Sequence, residues 1–479
     1  MKKIIIPIFF ILFLLFPYAY SISNGVNFIL GLLIIAFVVK LLSKHVLNRA
    51  ENISNNKIQK YYPLIIFSIA LITRIISAII LNDNITQVSD FKNALQSSCT
   101  LDFNDTYHRL FTHWLLLPLI VNNFFKIFGN NQIVVLIFSG IICSIVALLI
   151  YFVTKEITKN KNISLLASII YIFWPANILY IGIYTPEHIT QLLLVSAVLL
   201  IFKGEKSNRY VKKYILFFAS GVALGLTTFF KNFGIVFIIA LAIYYFLKII
   251  FERKTIKEIL QSYVISLALV VIGSVLITNL TYIFLDHVVV AKVSRDNTAY
   301  FLAVGLNKER KGSYNKKISE KYISLVEENN FNYNIANKEL MNEIRSNFKF
   351  NKELLDLLNY KARILVQNDE GKIEFIYRSA LDNGSAKFAN FVNEQVKKIN
   401  NFYYMIVFIL IGIGIIRFKK NINLKLLYIY ISVYGSYLLL LIIEVQNRYT
   451  YSINPFLCIL AALGLETLLQ CTIEKKSKK

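Results

Sequence analysis

Residues 131–153 read NQIVVLIFSGIICSIVALLIYFV, without one charged side chain. Coiled as an α-helix at ~1.5 Å per residue, such a run is about 34 Å long and crosses the ~30 Å apolar layer of a bilayer. Comparable runs lie at about 4–20, 26–42, 62–82, 163–181, 188–202, 214–230, 233–250, 262–284, 402–416, 425–443 and 450–469. Together they predict an all-α polytopic membrane protein with about twelve transmembrane helices. Composition agrees: 56% of residues are hydrophobic, 17% charged, and the mean hydropathy is +0.56, against roughly a quarter charged in soluble domains. A soluble enzyme and a single-pass receptor are both excluded.

A formal charge of +24 would suggest nucleic acid in a soluble protein. Its distribution says otherwise. With twelve spans, Lys2 and Lys3, the segments 40–60, 155–161, 203–213, 248–258 and 417–425, and the tail Lys475, Lys476, Lys478 and Lys479 share one face. These hold 27 of the 52 basic residues but only about 7 of the 28 acids. A basic surplus on alternate loops is the positive-inside pattern, so that face is expected to be cytoplasmic, both termini with it. The protein is expected in the plasma membrane, with no nucleic-acid partner. The first twenty residues also fit a signal peptide, with Ala19-Tyr20-Ser21 as the cleavage region. Of four cysteines, Cys143 and Cys458 fall within spans, Cys471 is cytoplasmic and only Cys99 faces outward, so no disulfide is expected.

Three regions follow: 1–285, with a first outer loop at about 83–130; an outward-facing, mainly helical insertion at 286–401; and 402–479, the last helices and a basic tail. In the first loop, Trp114 to Phe128 is apolar but broken by Pro118, Asn122, Asn123 and Lys126, which suits a helix along the interface. The insertion carries 19 basic and 15 acidic residues, with helical patterns at 317–329, 335–347 and 350–366.

The other outer connections are short and polar: Tyr184-Thr185-Pro186-Glu187-His188, Phe230-Lys231-Asn232, and Glu444-Val445-Gln446-Asn447-Arg448-Tyr449. Charges so near hydrocarbon are costly unless paired or lining a cavity. Outside the insertion, the outer face holds six carboxylates: Asp83, Asp90, Asp102, Asp105, Glu187 and Glu444. Its cations are Lys92, Arg109, Lys126, Lys231 and Arg448, with Arg74 inside a span. Carboxylates beside cations suit group transfer from an anionic lipid: a carboxylate takes the acceptor proton, and Lys or Arg stabilises the departing phosphate. Each residue alone has a plainer reading. Asp90 and Glu187 fit as first-turn helix acids, Lys231 as a lysine snorkelling to headgroups, and Arg448 as an interfacial anchor. Asp102, Asp105, His108 and His113 are spaced for a mixed oxygen and nitrogen metal site, but nothing in that spacing is diagnostic. No metal or other cofactor is assigned.

Several segments, in order, resemble the GT-C membrane glycosyltransferases, specifically the bacterial branch similar to protein O-mannosyltransferases and aminoarabinose transferases. They are Arg74, Ser89-Asp90-Phe91, Phe128-Gly129, Tyr184-Thr185-Pro186-Glu187, Gly221 to Lys231 with Asn232, and Gln446-Asn447-Arg448-Tyr449 with Pro455 and Gly464. Ala303-Val304-Gly305-Leu306-Asn307 and Gly312-Ser313-Tyr314-Asn315 resemble the outer-loop signature of Gram-positive members. The resemblance implies a polyprenyl-phosphate-sugar donor used at the outer face, with inversion, and a glycan, lipid or protein acceptor. It implies Asp90 as general base, Glu187 as the second acidic residue, and Lys231 and Arg448 as phosphate-binding cations, to which Arg109 is added from the same loop. His108, His113, Tyr184 and Tyr449 are expected to position donor or acceptor. The hairpin before residue 62 and His113-Trp114, where an aromatic–proline pair is expected, depart from the pattern. A flippase or transporter of lipid-linked saccharides and an O-antigen-type polymerase or ligase are the rival readings. The first would show two similar halves, and the second would need arginines of the insertion.

Overall fold

The computed structural model describes residue 33 and residues 57–103, 105–252, 259–418 and 423–477. The predicted spans 4–20 and 26–42 lie outside the described residues. Among the described residues there is no strand, and eight helices are long and apolar enough to cross a membrane, nine if one bent pair counts as a single span. The protein is an all-α multi-pass membrane protein.

The first described span, α1 (Tyr62–Asn84), is followed by the loop helix α2 (Asp90–Thr100) and then α3 (Leu116–Phe128). With 13 residues, α3 is far too short to span; it buries Leu117, Val121 and Phe125 and leaves Ile127 and Phe128 exposed. The stretch at 131–153 lies within α4 (Gln132–Thr158), which packs on α1 and on the next helix, α5 (Lys161–Ile172). There the expected span 163–181 breaks. Pro175 cannot continue a helix, and the chain turns 64° into Pro175–Gly182. The carbonyls freed at the break need donors. Arg74, wholly buried in α1, supplies them: Nη1 donates to the Ile172 carbonyl at 2.9 Å and Nη2 to the Tyr171 carbonyl at 3.5 Å. Arg74→Leu is therefore expected to lower stability by roughly 1–3 kcal/mol, the cost of leaving such acceptors unmet. Thermal unfolding in detergent measures it.

α6 (Glu187–Lys206) leads to α7 (Tyr210–Leu226), α8 (Gly234–Glu252) and α9 (Ile265–Val288). The expected span 214–230 is a 17-residue helix closed by the turn Thr227–Phe229. Small residues let α7 and α9 touch backbone to backbone: a Cβ on Gly221 would lie 2.1 Å from the Val270 carbonyl oxygen, and one on Gly225 2.5 Å from that of Ser274.

Segment 286–401 holds α10 (Thr298–Gly305), α11 (Lys316–Glu328), α12 (Tyr333–Asn347), α13 (Lys352–Val366) and α14 (Glu370–Asp382). It is stitched to the bundle. The Trp174 indole N–H donates to Asp369 Oδ2 at 3.0 Å, Lys372 pairs with Asp369, both fully buried, and the Asn400 side chain accepts from the Ala176 N–H. The helix after the insertion runs unbroken as a membrane-length element from Ala386 through α15 (Lys397–Phe418), so the 401/402 boundary falls inside one helix. α16 (Leu424–Ile442), the extended strap 443–446, the turn Asn447–Ile453 and α17 (Asn454–Ser477) close the fold.

Candidate active site

The polar ends of α2, α6, α7, α16 and the turn before α17 meet at the end of the bundle that carries the insertion. Glu187 opens α6 just behind Pro186 and is completely buried. Two cations flank it: Lys231 Nζ at 4.0 Å and Arg448 Nη1 at 3.9 Å, both from Oε1. No hydrogen bond among the described residues reaches either carboxylate oxygen. The cluster is held by charge at near-contact distance.

Lys231 and Arg448 differ in environment. The Lys231 ammonium sits 4.0 Å over the Tyr449 ring, 20% exposed, on the wall of a cavity of about 530 Å³. Burial pulls its pKa below the ordinary lysine value, against the attraction of Glu187, Glu444 and Asp90 and with the repulsion of Arg448. Arg448 does not line that cavity. Its guanidinium is packed among Phe375, Phe91 and Tyr449, at 4.7, 4.8 and 5.2 Å from the ring centres. Its Nε donates to Gln446 Oε1 at 2.6 Å.

Asp90 begins α2 and is half-buried, close enough to act electrostatically on Lys231. The residue before it, Ser89, has φ +54° and ψ −141°, a conformation disfavoured for a side-chain-bearing residue, and such strain costs of order 1–3 kcal/mol. The residue after it, Phe91, lies against Arg448 and Phe375. Asp90 is thus aimed by a strained turn on one side and a packed ring on the other. His113 also lines the cavity, its imidazole held well below the usual pKa by burial and by Lys231 and Arg448, so it is neutral at physiological pH.

The structure brings Glu187, Lys231, Arg448 and Tyr449 into one cluster, with His113 on the wall of the cavity that carries Lys231; Asp90 does not line that cavity and reaches Lys231 through its charge. The remaining expected residues lie elsewhere, His108 and Arg109 in the first loop and Tyr184 in the connection before α6. His108 Nε2 meets Ser97 Oγ at 3.1 Å while Nδ1 meets both Asp105 oxygens at 2.9 Å, on the wall of a second pocket. The Tyr184 hydroxyl bonds Ser98 Oγ at 2.7 Å, and its N–H donates to Gln87. The Arg109 guanidinium covers Phe331, 5.3 Å from its ring centre. Among the described residues no three His, Cys, Asp or Glu side chains are grouped as a metal cage. One participant went unassigned from sequence. Glu444 lines the cavity, its Oε1 accepting from Gln446 Nε2 at 2.7 Å and its Oε2 from the Tyr449 hydroxyl at 3.2 Å. Its signal was visible as the sixth outer carboxylate, four residues before Arg448.

Residues 112–278 match the family model described as dolichyl-phosphate-mannose-protein mannosyltransferase. The structure is similar to the archaeal oligosaccharyltransferase AglB from Archaeoglobus fulgidus, solved in complex with an inhibitory peptide and a dolichol-phosphate. The TM-score is 0.51 at 13% identity, over 88% of this chain and 52% of that one. The fold is GT-C. The family match covers residues 112–278 only, and what the whole structure shares with AglB is the fold. The chain spans about half the length of AglB. ArnT from Cupriavidus metallidurans, bound to undecaprenyl phosphate, is also similar, at 11% identity and a TM-score of 0.34, over 85% of this chain and 77% of that one. No curated protein matches the chain in sequence.

Proposed function

We propose that the protein moves a sugar from a polyprenyl-phosphate donor to an acceptor hydroxyl at the outer face of the membrane, with inversion at the anomeric carbon. The observation that carries this reading is the make-up of the cavity beside Lys231. Its walls include Leu224, Ile235, Ile238, Leu439 and Leu440 from three helices, and its polar lining includes Lys231, His113 and Glu444, with Arg295, Asp296 and Asn297 from the insertion. An isoprenoid chain suits the first set and a phosphate the Lys231 ammonium.

In the step itself, Asp90 takes the proton of the acceptor hydroxyl as its oxygen attacks the anomeric carbon. The bond from that carbon to the phosphate oxygen breaks, and the phosphate leaves with the electron pair, its new charge met by Lys231. Attack from the side opposite the phosphate inverts the centre. Arg448 acts from behind by holding Glu187 and Phe91 in place.

Decaprenyl phosphate binding to the purified protein in nanodiscs tests this reading. Lys231→Ala is expected to weaken binding by about 10- to 100-fold, the loss of one charge-assisted contact. Equal affinity in the variant and the wild type would sink the assignment.

A further inference from the structure

The donor reading leaves the transferred sugar without an anchor, and one buried charge is placed to provide it. The other charged residues lining the cavity that carries Lys231 are Arg295, which pairs with Asp286 at 3.2 Å, Asp296, and Glu444, 7% exposed. A carboxylate is a poor neighbour for a phosphate and a strong acceptor for hydroxyl or ammonium donors. Each Glu444 oxygen already accepts one protein hydrogen bond, and a carboxylate offers about four acceptor sites in all.

The insertion fixes where Glu444 stands. On one side the Val445 N–H donates to the Gly312 carbonyl at 2.8 Å; on the other, Lys361 Nζ bridges the carbonyls of Ile443 at 2.6 Å and Gly305 at 2.9 Å. Gly305 lies so close that a Cβ there would be 2.2 Å from the Ile442 carbonyl oxygen. Burial pushes the Lys361 ammonium down to about 8, opposed by the charge of Glu444. A membrane-helix end clamped at both neighbours, with a buried lysine spent on backbone carbonyls, is an expensive way to place a side chain that does nothing.

Resting on the function proposed above, we infer that Glu444 binds the donor's sugar ring, its carboxylate accepting two ring hydroxyls or one hydroxyl and an amino group, while Lys231 takes the phosphate. Lys361 is the positioning residue for that contact. The cavity therefore discriminates among donors by the sugar, through Glu444, and accepts the lipid phosphate through a separate group.

The test compares decaprenyl phosphate with decaprenyl-phosphate-linked mannose, glucose, N-acetylglucosamine and arabinose for binding to the full chain in nanodiscs. At least one sugar-bearing lipid is expected to bind the wild type 10-fold or more tighter than the bare phosphate. Glu444→Gln, which keeps the shape and the Tyr449 contact, should erase that increment while bare phosphate binds at least as tightly as it does to the wild type, since a carboxylate near the phosphate has been removed; Lys231→Ala should weaken both ligands alike. An unchanged increment in Glu444→Gln, an equal loss on both ligands, or no increment with any of the four sugars would overturn the inference. No binding of bare decaprenyl phosphate to the wild type would instead overturn the donor reading on which it rests.

Discussion

Asp90→Asn should leave the protein folded and lower sugar transfer by roughly 10²- to 10⁴-fold, the range that general-base catalysis supplies. The substitution removes the proton-accepting charge and keeps the size and polarity of the first side chain of α2. Asp90 is half-buried, and its neighbours hold the turn without it: Phe91 rests on Arg448 and Phe375, and the Lys92 N–H donates to the Ser89 carbonyl at 3.0 Å. Donor binding should therefore persist, with the loss falling on kcat. Ser89, not Asp90, stands at the cap position, so the substitution removes only a first-turn charge worth about 0.3–1 kcal/mol. Asp90→Glu is the sharper companion. One added methylene displaces the carboxylate by about 1.5 Å, and because Ser89 and Phe91 fix the backbone, the site has no freedom to follow. Turnover of a lipid-linked sugar by the purified variants, with melting temperatures alongside, decides it. A fully active Asp90→Asn protein would remove Asp90 from the mechanism.

Much of this cluster was legible because a membrane sequence leaves few places for charge. Glu187, Lys231 and Arg448 stand at helix ends beside apolar runs, where an unpaired charge is costly, so their convergence follows from the requirement that each find a partner. The helices themselves were equally readable, the insertion's included: the pattern at 350–366 corresponds to Lys352–Val366. What could not be read is which polar groups packing consumes. His108 and Tyr184 look like site residues in the sequence, yet each finds a serine on α2, at Ser97 and Ser98. The break of 163–181 was signalled by Pro175, but the group that caps the freed Ile172 carbonyl, Arg74, stands ninety-eight residues away. The placing of Glu444 depends on Gly305, Gly312 and Lys361, all from a separate part of the chain, and no local pattern announces such a clamp.

Glu187→Gln should be the most damaging substitution to the fold of the site. The native cluster sets one buried carboxylate between two cations at 3.9 and 4.0 Å. Neutralising it leaves Lys231 and Arg448 facing each other with no charge between them. Removing one partner from a buried ion pair costs about 3–5 kcal/mol, far more than the pair itself contributes. Here the repulsion of two cations adds to that, offset in part because Lys231 is 20% exposed and can turn toward solvent. That escape is what couples the fold to function. A Lys231 that swings away from the Tyr449 ring no longer meets the phosphate, and a misplacement of about 1 Å is enough to cost ~10²-fold in rate. Transfer should thus fall by about 10²-fold or more, together with a clear drop in melting temperature. The double variant Glu187→Gln with Lys231→Met separates the two effects. Removing the stranded cation should restore much of the lost stability while activity stays low, because the phosphate contact is gone. If Glu187→Gln alone melts like the wild type, the three charges are not energetically coupled, and Lys231 must be held by the Tyr449 ring and the charges of Glu444 and Asp90.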